Sequence, residues 1–331
     1  MSTLYLTEQY AFVKKRDDCL LVQMTDKRTR EIPLMKVDHV IVVGDITLST
    51  PALHALLEQG AEVCFLSAYG GYRGRLSPPG SKNMFLRRQQ YAACADPERT
   101  LALARWVVAG KLENQRTMLL RSNRKLDEPV VSQAAEQIKR EIKAVPGATN
   151  LDSLRGMEGA GAAAYFEAFA RLLRQDLGFA RRVRRPPTDP VNAALSLAYT
   201  CLMNQVMAAL QVVGLDPYAG YLHAAQYARP SLALDLMEEF RPIIADSVVL
   251  TLLNTRALQA SDFEAELDTY RLTAAGRRCF YEQFEVRLNT EIEHPTFGYK
   301  TTYRRCLELQ ARLLAKWLMG EIPAYPPLTV R

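Results

Sequence analysis

The chain has 331 residues, of which 48% are hydrophobic and 24% charged, a balance that argues against intrinsic disorder and supplies core for about two domains. No apolar run approaches the roughly 20 residues of a membrane span, and residues 1–10 lack the basic-then-apolar layout of a signal peptide, so a cytoplasmic protein is expected. Six cysteines scattered singly, with no CxxC pair, argue against a zinc knuckle or a disulfide framework, and a net charge of +6 favours a polyanionic partner.

Residues 4–6, 11–14, 19–24, 31–33 and 39–43 are short runs rich in Val, Ile, Leu and Tyr. They predict a small antiparallel β domain over residues 1–72. One short helix interrupts it, capped by Thr50, with Pro51 at its first position and Gly60 ending it before a strand at 62–66. His39 and His54 have no acid cluster beside them and read as structural. Residues 73–82 concentrate glycine, proline and basic side chains, which predicts a linker.

Beyond the linker the periodicity turns helical, predicting a larger all-α domain over residues 83–331. Helices are expected at 83–95 and, capped by Asp96, at 97–109. Residues 111–125 carry Lys111 and Arg116 among apolar positions, a pattern that fits either a phosphate-binding face or a solvated one. A helix at 129–143 precedes residues 154–166, LRGMEGAGAAAYF, where Glu158 sits among glycines and alanines. A carboxylate packed so closely costs free energy unless a cation or hydrogen-bond donors satisfy it, although an acid near a helix start is also favoured by the helix dipole. Arg181, Arg182, Arg184 and Arg185 form the densest positive cluster. Asp189 then caps a helix from Pro190 to 213, with Asn192 on its first turn, where it either meets a site group or is an ordinary polar residue.

Residues 220–242, GYLHAAQYARPSLALDLMEEFRP, hold a histidine and several carboxylates among apolar residues. Pro230 and Ser231 signal a helix start, and Asp235 and Glu238, three apart, share one helix face. His223 precedes Asp235 by twelve residues, within reach of a loop that folds back. Imidazole with carboxylate oxygens suits Mn²⁺, Mg²⁺ or Zn²⁺, and with no thiolate in the set the harder ions are favoured. The bland alternative is a solvated acidic face beside a loop histidine. An apolar helix at 243–253 containing Asp246, then helices at 274–292 and 299–320, complete the chain.

Glu158 in its Gly/Ala helix, DPVN at 189–192, GYLH ending at His223 and RPSLALDLMEEFRP at 229–242 occur in one order. Together with the cap at Ser49 to Pro51 and GKLENQRTMLLR at 110–121, they resemble the CRISPR-associated integrase, the first of the two universal CRISPR adaptation proteins, over nearly the whole chain. The resemblance implies an α+β fold in two domains and a Mn²⁺ or Mg²⁺ site ligated by Glu158, His223 and Glu238. Asp235 would support that site or join it, and the family often has Asp where Glu238 stands. It further implies DNA contacts from Arg155, Arg182, Arg184, Arg185 and Asn192. The partners would be double-stranded fragments, the CRISPR repeat, a second copy bound through the β domain, and a small ferredoxin-like second adaptation protein. The alternative activity is that of a stand-alone metal-dependent nuclease on branched or repair DNA. Glu238→Ala is expected to abolish activity and leave the fold intact.

Overall fold

The computed structural model describes residues 3–330 apart from 69, 79–82, 184, 185, 224, 225 and 268. The chain forms two units, residues 1–80 and 81–331.

The first unit contains β1 (Thr3–Leu6), β2 (Phe12–Arg16), β3 (Cys19–Gln23), β4 (Thr29–Pro33), β5 (His39–Val43), β6 (Thr47–Leu48), α1 (Thr50–Glu58), β7 (Glu62–Leu66) and β8 (Tyr72–Leu76). They form two four-stranded sheets, ordered β1-β5-β7-β8 and β4-β3-β2-β6. Strands β2, β3 and β4 make the expected antiparallel meander. The first sheet departs from that expectation, because β1, β5 and β7 pair in parallel, as do β2 and β6. Parallel neighbours need a crossover, and α1 is the one joining β5 to β7, burying Ala52 and Leu56 against Val40, Val42 and Val63. Ser49, one residue before Thr50, caps α1 by accepting the Ala52 N–H at 3.4 Å. Strand β8 occupies part of the stretch expected as a linker. It pairs antiparallel with β7, and its Arg75 lies 3.6 Å from Glu62, so its Gly/Arg composition is that of an edge strand.

The second unit contains α2 (Met84–Ala95), α3 (Pro97–Asn123), α4 (Pro129–Ala144), α5 (Leu151–Leu172), α6 (Pro190–Val213), α7 (Ser231–Met237), α8 (Ser247–Asn254), α9 (Ala274–Leu288) and α10 (Tyr303–Leu318). Two short hairpins, β9 (Phe263–Glu266) with β10 (Thr269–Leu272) and β11 (Glu291–Glu293) with β12 (Lys300–Thr302), interrupt an otherwise helical unit. Side-chain oxygens of Asp96, Asn150 and Asp189 cap α3, α5 and α6. Helix α3 runs unbroken for 27 residues where two segments are expected, with Gly110 buried in its middle. Helix α6 corrects another expectation. Its 24 residues have the length and hydropathy of a span, but 78% of its most apolar window is buried inside the protein, as in a core helix. A π-helical turn, Arg241–Asp246, separates α7 from α8.

Candidate metal centre

Two glycines allow the close approaches on which the site depends. A Cβ on Gly161 would meet Leu112 Cδ2 at 2.4 Å, so a bare backbone lets α5 settle on α3 where Glu158 and Lys111 face each other. A Cβ on Gly220 would stand 2.5 Å from the Ser231 carbonyl carbon. Its absence lets the segment leading to His223 lie on the first turn of α7.

Asp235 then gathers that segment. Its Oδ2 accepts the backbone N–H groups of Tyr221 at 2.6 Å and Leu222 at 3.0 Å, and its Oδ1 accepts that of His223 at 2.9 Å. The same Oδ1 lies 2.6 Å from His223 Nδ1. A carboxylate there holds the ring proton on Nδ1 and leaves the lone pair on Nε2, which points toward Glu238 Oε1 at 3.8 Å. From α5, Arg155 donates Nη2 to the Leu222 carbonyl at 2.9 Å and Nη1 to Asp152 at 2.9 Å, clamping the histidine loop.

Glu238 is buried, with Lys111 Nζ 2.7 Å from its Oε2 and Arg241 Nη1 3.3 Å from its Oε1. Burial pushes its carboxyl up, but the cations beside it, Arg241 first and then Lys111, outweigh burial and hold it at about 2. Lys111 Nζ also donates to Glu158 Oε1. Behind Glu238 the Arg241 guanidinium lies over the Tyr199 ring, 4.8 Å from its centroid. Tyr199 and Tyr165 donate their hydroxyls to Asp246 at 2.7 Å and 2.8 Å, and burial raises the Asp246 carboxyl to about 6.

Glu158, His223, Asp235 and Glu238, all singled out from the sequence, are therefore linked in one cluster through Lys111 and the His223 ring. The donor set fits a hard divalent cation. It offers two carboxylates and an imidazole lone pair, with Lys111 Nζ 2.7 Å from Glu238 Oε2. Among the described residues no three His, Cys, Asp or Glu side chains close into a cage, because the Lys111 ammonium stands between the two glutamates.

The basic candidates divide. Arg182 donates Nη1 to the Val183 carbonyl at 2.6 Å and to Asn192 Oδ1 at 2.7 Å, and its guanidinium lies 5.2 Å from the Tyr199 ring centroid. Asn192, expected to contact DNA, is instead fully buried. It accepts from Arg182 and Val183 and donates to the Arg181 carbonyl and Asp189, so it anchors the arginine-rich segment from within. Arg184 and Arg185 lie outside the described residues. Sequence reasoning did not assign Arg241, Tyr199, Tyr165 or Asp246 to the site, and it left Lys111 between a phosphate-binding face and a solvated one. The available signals were Arg241 three residues after Glu238 and Asp246 as the single acid of an apolar run.

Residues 4–286 match the family described as CRISPR associated protein Cas1. The CRISPR-associated endonuclease Cas1 3 of Thermus thermophilus is 40% identical over 335 residues, which cover 100% of this chain and 98% of that protein. A CRISPR-associated exonuclease Cas4/endonuclease Cas1 fusion of Geobacter sulfurreducens is 41% identical over 337 residues, covering 99% of this chain and 60% of the longer fusion. Among solved structures, a chain of a Cas6-RT-Cas1–Cas2 complex superposes on 100% of this chain with 36% of its own length, at a TM-score of 0.82 and 28% identity.

Proposed function

The chain belongs to the Cas1 family of CRISPR-associated proteins, and from that premise we propose that it is a metal-dependent DNA integrase of CRISPR adaptation with an associated endonuclease activity. The observation that supports the reading is that Glu158 and Glu238 share the Lys111 ammonium while His223 Nε2 lies 3.8 Å from Glu238 Oε1. The two carboxylates and the imidazole would hold Mn²⁺ or Mg²⁺. Asp235, fully engaged by backbone N–H groups and the His223 ring, keeps the imidazole turned toward Glu238. Arg241 keeps Glu238 ionised and fixed.

In the proposed reaction a 3′-hydroxyl oxygen of a double-stranded fragment bonds to a phosphorus of the CRISPR repeat. The bond from that phosphorus to its neighbouring 3′ oxygen breaks, the attacking hydroxyl loses its proton and the leaving oxygen gains one. A bound divalent ion supplies the acidity that favours loss of the hydroxyl proton and offsets charge at the phosphate. Water in place of the hydroxyl gives strand cleavage, which agrees with the name endonuclease carried by the Thermus relative. Arg155 and Arg182 would hold the DNA backbone in contacts that weaken with salt. A small ferredoxin-like second adaptation protein is the expected partner, in keeping with the Cas2 named in the solved complex, and the first unit would form a homodimer. The reading implies a cytoplasmic protein.

A strand-transfer assay tests it. Purified protein, with and without its small partner, is given a labelled fragment with free 3′-hydroxyls and a supercoiled plasmid carrying a CRISPR repeat, in Mn²⁺, Mg²⁺ or EDTA. Label joined covalently to the plasmid only with metal is the expected result. A plasmid merely nicked, with no label joined even with the partner present, would replace this reading with that of a stand-alone nuclease.

A further inference from the structure

Lys111 is not explained by the ion that the site would hold. Its side chain is 5% exposed, it rises from the middle of α3, and its ammonium pairs at once with Glu158 and Glu238. An ammonium in contact with both carboxylates supplies the positive charge that a divalent ion held by them would supply, and two cations close together repel strongly in a buried setting. One side of this arrangement is closed, since Arg241 and His223 cover Glu238. The other side opens on α5. Glu158 is about one quarter exposed, and Gly156 and Gly159, further round the helix, lie on its outward face. Arg155, one helical turn before Glu158 on the same side of α5 and 40% exposed, gives that edge a positive charge.

We propose that Lys111 is a displaceable counter-cation: it holds Glu158 and Glu238 together while no divalent ion is bound, and a DNA phosphate on the open face of α5 draws its ammonium away as the ion takes the carboxylates. The inference rests on the metal site proposed above. Its consequence is positive coupling. The free protein holds the ion weakly, DNA tightens the ion, and by reciprocity the ion tightens DNA. Lys111 is thereby a positioning residue, acting through the two glutamates.

The test is the affinity for Mn²⁺, read from the free-ion electron paramagnetic resonance signal, with and without a short duplex bearing 3′-hydroxyl ends. The full chain is compared with its Lys111→Met and Lys111→Gln variants. In the wild type the duplex should tighten Mn²⁺ by about tenfold. Both variants should bind Mn²⁺ about tenfold more tightly than the wild type without DNA, and the duplex should change their affinity little. In EDTA the variants should melt below the wild type, and Mn²⁺ should close the gap, because two buried carboxylates lose their counter-cation and then regain one. A wild type that binds Mn²⁺ through Glu158, His223 and Glu238, with variants that bind it no more tightly, overturns the role of Lys111 and leaves the metal site standing. Variants that fail to fold even in Mn²⁺ also overturn it, by making Lys111 a purely structural ion pair. No Mn²⁺ binding by any form overturns both proposals.

Discussion

Asp235 Oδ1 lies 2.6 Å from His223 Nδ1 and also accepts the His223 backbone N–H. One carboxylate thus sets where the histidine loop lies, how its ring is turned and which nitrogen carries the proton. Asp235→Asn keeps the size but can present an N–H to Nδ1, which favours the tautomer with its proton on Nε2. Mn²⁺ affinity and strand transfer should both fall by about 10–100-fold, as is usual when the partner that orients a metal-binding histidine is lost. Titration of the variant with Mn²⁺ checks this, and an affinity equal to the wild type would reduce Asp235 to a loop anchor.

Glu238 stands between Lys111 and Arg241, with Glu238 and Lys111 buried and Arg241 12% exposed. Glu238→Ala should therefore abolish strand transfer and also destabilise the second unit by about 3–5 kcal/mol, because it removes the buried carboxylate that Lys111 and Arg241 share. The sequence alone leads to the expectation of an untouched fold, whereas the ion pairs of Glu238 predict this loss. The wild-type carboxyl, held at about 2 against an ordinary 4.5, contributes stability that is complete above pH 4.5 and is lost as pH falls toward 2. Glu238→Gln should flatten that acid limb in denaturant midpoints taken from pH 6 down to pH 2.

The acids of this site are legible in the sequence because their partners are local. Asp235 and Glu238 share a helix face, and Gly220 and His223 precede that helix by one loop. Lys111 is not legible in the same way. A lysine in a basic helix reads alike whether it faces water or a carboxylate pair, and only the docking of Gly161 on Leu112 decides between the two. Asn192 shows the reverse case, a first-turn polar residue that looks available yet has all its partners inside the protein. In the first unit the composition of β1, β5 and β7 marks strands but carries no direction, so their parallel pairing depends on the crossover through α1.

Arg155 joins the histidine loop to α5 through the Leu222 carbonyl. Arg155→Ala should therefore weaken Mn²⁺ binding as well as DNA binding, by about 1 kcal/mol or roughly fivefold for the ion. Parallel titrations with Mn²⁺ alone and with duplex DNA over a salt series separate the two roles. A loss confined to DNA affinity, with a shallower salt slope, would make Arg155 a phosphate contact and remove it from the support of His223.

Glu239, next to Glu238, is buried and turned to the opposite side. Its carboxylate oxygens accept the Tyr325 hydroxyl at 2.6 Å and the Leu328 N–H at 2.6 Å, so it ties the C-terminal segment to the end of α7. Burial raises its carboxyl from 4.5 to about 8 despite these donors. The folded protein thus binds this proton more tightly than the unfolded chain does. The resulting stability is complete below pH 4.5, declines as pH rises from there to about 8, and is level beyond. Over that window the decline should amount to a few kcal/mol, on the order expected for a shift of this size. Glu239→Gln mimics the protonated acid, since its amide can donate to Tyr325 while its carbonyl accepts from Leu328. Denaturant midpoints at pH 5 to pH 9 should converge at the acid end and diverge in favour of the variant at the alkaline end. A difference between the two proteins that is independent of pH would mean that Glu239 is already ionised at pH 5.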